Sequence, residues 1–102
     1  MDAPEFPPVP SKVFSHLGPL QVAFELLEED FGSVDLSTRE VTLSVDQSAA
    51  SSWRTYWHES VHVALWDAGV KLNEKVEENL CDVIGTYLAA AVRSGFLKVE
   101  TK

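Results

Sequence analysis

Residues 52 to 68, SWRTYWHESVHVALWDA, are the stretch from which the rest of the chain is read. Trp53, Trp57, Val61, Ala64 and Ala68 recur at helical spacing, which predicts a helix from Ser52 to Ala68 with a packing face. Residues 46 to 52 are rich in Ser, Asp and Ala and supply N-cap candidates ahead of it. Gly69 is placed to stop it. After a short connector, Val70 to Leu72, Asn73 can cap a second helix from Glu74 to Ser94. Its first turns carry Glu74, Glu77 and Glu78 at the positive end of the helix dipole. Gly95 ends that helix, and residues 96 to 102 form a tail.

Working backwards, Glu40 to Val45 (EVTLSV) alternates, with Val41, Leu43 and Val45 expected inward and Thr42 and Ser44 outward. This is a strand, expected to form a hairpin with residues near Val34 across the turn at Leu36-Ser37-Thr38. Residues 20 to 26 (LQVAFEL) also alternate and predict a strand, although Leu20, Ala23, Phe24 and Leu27 fit a helical stripe too. Strands followed by two helices make an α+β chain. The expected architecture is a small antiparallel sheet of about three strands packed against two antiparallel helices. Residues 1 to 10 (MDAPEFPPVP) contain four prolines and read as a flexible, extended lead-in, with Phe6 and Val9 able to pack on the body. Residues 11 to 102 form one domain, the amount of chain that one modest core can organise.

Composition narrows the function classes. The chain has 102 residues, 45% of them hydrophobic, and a formal net charge of −8. Its eight basic residues are scattered, which argues against a nucleic-acid partner. No apolar run approaches the roughly 20 residues that span a bilayer, and the acidic, proline-rich start does not resemble a signal peptide. A soluble, cytoplasmic protein is expected. One cysteine, Cys81, excludes an internal disulfide and reads as a small core residue.

Within the first helix, His58-Glu59-Ser60-Val61-His62 is an H-E-x-x-H sequence. Positions i and i+4 of a helix lie one above the other, so both imidazoles can reach one Zn²⁺. Glu59 stands about 100° round the helix from His58 and can take a proton from a water on the metal. Two surface histidines without a metal are the plainer alternative. A catalytic zinc needs a third protein ligand. Ala68, six residues after His62, removes the form with a third histidine there, so the supply is Glu74, Glu77, Glu78 and Asp82. A short turn makes the two helices antiparallel neighbours and brings these acids near the histidine face. Glu78 is the expected ligand. It shares a face with Asp82, Gly85 and Ala89, and these small residues would let the helices approach closely. Asp82 could then accept the free N–H of His58. Glu77, nearer the stripe of Leu80, Ile84, Tyr87 and Leu88, is the second candidate.

The combination His58-Glu59-x-x-His62 followed by Glu78-x-x-x-Asp82 resembles the gluzincin zinc metallopeptidases. It is most similar to very small members of phage or prophage type, akin to minimal gluzincins and the ImmA/IrrE-like proteins. The likeness covers roughly residues 31 to 91. It implies a zincin-like fold with one Zn²⁺ on His58, His62 and Glu78, with Glu59 as general base and Asp82 as supporting carboxylate. It also implies a peptide or protein substrate held by main-chain hydrogen bonds along an edge strand near Val41–Val45. Larger gluzincins add a histidine or tyrosine that steadies the oxyanion. Here His16, Tyr56 and Tyr87 are the obvious substitutes, with Arg54 one turn before His58. Three functions follow: a zinc-dependent peptidase, a zinc-binding regulatory or interaction protein with little turnover, and a metal-free binding module.

Overall fold

A computed structural model of the chain describes residues 6–99. Both helices form around the local signals expected for them. In α1, Ala49–Asp67, the side chain of Ser48 accepts the backbone N–H of Ser51. The helix therefore starts three residues before Ser52, because the capping side chain lies earlier in the serine-rich run. In α2, Glu74–Arg93, Asn73 Oδ1 accepts from Lys75 N at 2.9 Å, with Glu74 and Glu77 in the first turn and Arg93 in the last. Gly69 and Gly95 follow the two helices with positive φ, the left-handed stop that a side chain disfavours.

The chain is α+β, as expected, with four strands: β1 (Lys12–Val13), β2 (Leu20–Glu25), β3 (Gly32–Asp35) and β4 (Glu40–Ser44). Their order in the sheet is β1-β2-β4-β3. The β3–β4 hairpin is antiparallel and sets Val34 opposite Val41, the pairing that the alternation predicts. The sheet as a whole is mixed, because β2 and β4 run parallel, with Val22 opposite Val41. β4 thus lies inside the sheet, and the expectation that Val41–Val45 forms its edge is corrected. The free edges belong to β1 and β3. Position also explains the burial of β4. Flanked on both sides, it hides Thr42 and Ser44 as well as Val41 and Leu43, while Val45 falls beyond the strand and is exposed.

The core joins Val13, Leu20, Val41 and Leu43 of the sheet to Trp53, Tyr56 and Val63 of α1 and Ala89 and Val92 of α2. The packing face of α1 therefore runs through Trp53, Tyr56 and Val63, not through Ala64 and Ala68, which are exposed. Tyr56 donates to Lys12 O at 2.7 Å, and Trp53 Nε1 donates to Pro7 O at 2.6 Å. The second half of the expected lead-in is thus docked: residues 6 to 10 carry no regular structure, and Phe6 and Val9 pack against the core. Residues 1 to 5 lie outside the described part. Among the described residues, no helix is long and apolar enough to cross a membrane.

The helix pair closes on Gly85. A Cβ there would stand 3.0 Å from Arg54 O, 3.0 Å from His58 N and 3.3 Å from His58 Cα. These neighbours are backbone atoms and cannot swing aside, so only glycine permits this approach. Replacing an interior helical glycine by alanine ordinarily gains about 0.5–1 kcal/mol. Gly85→Ala is expected instead to lose about 1–3 kcal/mol through overpacking. Urea unfolding of the metal-free protein checks this, and a variant more stable than wild type would contradict the contact.

Candidate metal centre

The antiparallel crossing at Gly85 lays the first two turns of α2 along the histidine face of α1. Asp82, one turn before Gly85, meets His58: its Oδ1 is 2.8 Å from His58 Nδ1. Glu77 meets the second histidine, with Oε2 2.5 Å from His62 Nδ1. A carboxylate in these pairs only accepts, so each Nδ1 carries the hydrogen. In the neutral ring, each Nε2 is then left with a lone pair.

Those two lone pairs converge. The Nε2 atoms are 3.2 Å apart. Glu78 spans them, with Oε2 3.1 Å from His58 Nε2 and Oε1 2.9 Å from His62 Nε2. Two ligands at about 2.05 Å from a tetrahedral zinc are separated by about 3.3 Å. The donor spacings match that value to within a few tenths of an ångström. The four atoms brought this close, two imidazole nitrogens and the two Glu78 oxygens, are electron-rich and repel one another unless positive charge lies among them, as a proton on an imidazole or as a metal ion. The residues present therefore fit a divalent cation, and the two Nδ1–carboxylate pairs are the outer support that fixes a ligating imidazole's tautomer and tilt.

Cys81 is a further donor that sequence reading left in the core. It is fully buried, and it forms with His58 and His62 a group whose candidate ligand atoms all lie within 4.8 Å of one another. Its thiol is pushed up to about 12, by burial first and then by the carboxylates of Glu77, Glu78, Glu59 and Asp82. The helical spacing of residues 78, 81, 82 and 85 is the signal that could have placed it on the histidine side. The Glu78 oxygens lie 3.1 and 2.9 Å from the two Nε2 atoms, so Glu78 and Cys81 are both candidate third ligands.

Glu59 faces the sheet side of the same site. It is only 6% exposed and makes no hydrogen bond among the described residues. Burial pushes its carboxyl above the ordinary value. The charges of His58 and His62 pull it back, while Glu78 and Asp30 add to the rise. Its carboxylate is not sealed off: Glu59 lines the cleft, where its oxygens can meet solvent. Gly32, the first residue of β3, makes room for it: a Cβ there would lie 2.5 Å from Thr55 Cγ2 and 3.2 Å from Glu59 Oε2. The free-edge strand thus begins directly against the Glu59 carboxylate. Together these groups line a cleft of about 440 Å³, whose walls include Asp30, Phe31, Gly32, Arg54, His58 and Glu59.

The remaining residues singled out from the sequence lie elsewhere. His16 is exposed, with Nδ1 3.5 Å from Asp67 at the far end of α1. Tyr56 is committed to the core and Tyr87 to the outer face of α2. None of the three lines the cleft, whereas Arg54 does. Trp53 is core, Trp57 is half-buried against it, and Trp66 is largely exposed. Glu74 stays at the exposed start of α2. Compared with protein-family models, curated proteins and solved structures, the chain matches none.

Zinc titration against a chromogenic chelator checks the donor geometry. One equivalent per chain is expected to bind, and His58→Ala or His62→Ala to abolish it. Asp82→Asn and Glu77→Gln should each weaken affinity by about 10–100-fold. Unchanged affinity in both carboxylate variants would contradict the outer-support role.

Proposed function

We propose that the chain is a zinc-dependent peptidase with His58, His62 and Glu78 as metal ligands and Glu59 as general base. The observation that carries this reading is the convergence of His58 Nε2 and His62 Nε2, 3.2 Å apart, on the two oxygens of Glu78 at 3.1 and 2.9 Å, with Glu59 lining the same cleft. A zinc ion bound there would acidify a water and polarise the scissile carbonyl. The chain's own groups do the rest. Asp82 and Glu77 keep each Nδ1 protonated, so each Nε2 lone pair stays aimed at the centre. Glu59 takes the proton of the attacking water on a side-chain oxygen and later passes it to the departing amine. Its low exposure keeps bulk water from competing for that proton. The free edge of β3, starting at Gly32, is the natural rail for an extended peptide, since its outer backbone groups are unpaired within the sheet.

A second reading rests on Cys81. Were its sulfur to complete a tetrahedron with His58, His62 and Glu78, four protein ligands would leave no place for water. The protein would then be a zinc-binding regulatory or interaction protein with little turnover.

Two variants separate these readings. Glu59→Gln is expected to keep one zinc and to lower kcat/KM on casein or a quenched-fluorescent peptide by about a hundredfold or more. Cys81→Ala is expected to keep both zinc and cleavage. Loss of zinc affinity in Cys81→Ala, with no cleavage by wild type across varied peptides, would replace the peptidase by the closed-site protein.

A further inference from the structure

The cleft does not end at the histidines. Arg54 and Thr86 also line a second groove of about 460 Å³. Ala50, Ala89 and Ala90 contribute small apolar surface to this groove, and Phe6, Arg54 and Arg93 stand around it. Its charge is the reverse of the cleft's. The cleft carries Asp30, Glu59, Glu78 and Asp82 against one arginine, whereas among the described residues Arg54 and Arg93 are the only charged ones lining the groove. Neither guanidinium has a carboxylate partner among the described residues. Arg93 Cζ lies 6.0 Å from the centre of the Phe6 ring, a contact that steadies it over the groove.

We propose that this groove is a subsite for an acidic side chain, Asp or Glu, of the peptide substrate. This inference rests on the peptidase reading above. Two guanidiniums with no carboxylate partner among the described residues, beside apolar surface, favour a carboxylate, which each can bind through paired N–H donors. A basic side chain would be repelled there, and a purely apolar one would leave both cations unanswered. The spacing sets where the acid falls. Arg54 is one helical turn, about 5.4 Å, before His58, and Arg93 lies eight residues, about 12 Å, beyond Gly85 along α2. At about 3.3 Å per residue of extended peptide, the acid sits roughly two to four residues from the bond held at the histidines.

Equilibrium binding to the zinc-loaded full-length Glu59→Gln protein tests this without requiring turnover. The probes are fluorescein-labelled decapeptides rich in Ala and Ser, blocked at both ends, with a single Glu or Gln moved along the chain. The Glu peptide is expected to bind about tenfold more tightly than its Gln counterpart at one preferred position, and the ratio should shrink as salt rises. Arg93→Gln, and Arg54→Gln separately, should bring that ratio close to one while zinc content stays at one per chain. Equal affinities for Glu and Gln at every position, a preference that survives both substitutions, or no binding at all would overturn the subsite. So would tighter binding of a Glu-free peptide with an unblocked C-terminus, which would assign the groove to a terminal carboxylate. Wild-type cleavage without any Glu preference defeats the subsite alone. Absence of cleavage for every peptide defeats the peptidase reading, while the Glu-to-Gln binding ratio still decides the subsite.

Discussion

At Gly85 the backbones of α1 and α2 meet closely, with Arg54 O and the His58 main chain standing where a side chain would be. That contact sets the registry of everything on the histidine face. One turn toward the N-terminus of α2 it brings Asp82 to His58, and a further turn brings Glu77 and Glu78 to His62. The positions are rigid because both helices are anchored elsewhere, α1 through Trp53 and Tyr56 and α2 through Ala89 and Val92. A chain of this size has one core, so the residues that hold the helices together and those that shape the site share the same two elements.

The electrostatics of the site follow from that registry. Glu59, Glu77, Glu78 and Asp82 gather around two imidazoles, in a chain already carrying a net charge of −8. Such a concentration of negative charge is unfavourable in itself, and the arrangement is stable only with positive charge among the donors. The imidazole Nδ1 atoms are taken up by Asp82 and Glu77, which leaves both Nε2 atoms facing the Glu78 carboxylate. Glu59 stands apart from these pairings, held in position by packing under the Gly32 end of β3, and a base can serve best when nothing else claims its oxygens.

Much of this was legible in the residues, and the limits have physical causes. Helix ends were readable because caps and stops are local: Asn73, Gly69 and Gly95 act on atoms within a few positions of themselves. The pairing of Asp82 with His58 was readable because i, i+4 faces and a short inter-helix turn leave little freedom. Strand order was not, because β2 pairs with β4 across the intervening β3, and nothing local to Leu20–Glu25 encodes a partner 20 residues away. The same cause misassigned β4 as an edge and Thr42 and Ser44 as outward. Glu77 is the second candidate in the sequence because it points toward the stripe of Leu80, Ile84, Tyr87 and Leu88. Only the tilt between the helices decides that it meets Nδ1 and not Nε2. Cys81 was read as inert core because burial was foreseeable and its distance to the imidazoles was not. The docking of Pro7 O by Trp53 Nε1 joins segments 46 residues apart and has no sequence signature.

The central claim is that two imidazoles and the Glu78 carboxylate make the metal cage while Cys81 stays outside it. X-ray absorption at the zinc edge, on the zinc-loaded full chain, tests this most directly. The account predicts a first shell of nitrogen and oxygen alone at about 2.0–2.1 Å, including two imidazoles, and no sulfur. A sulfur scatterer at about 2.3 Å, or a zinc shell without two imidazoles, would contradict it.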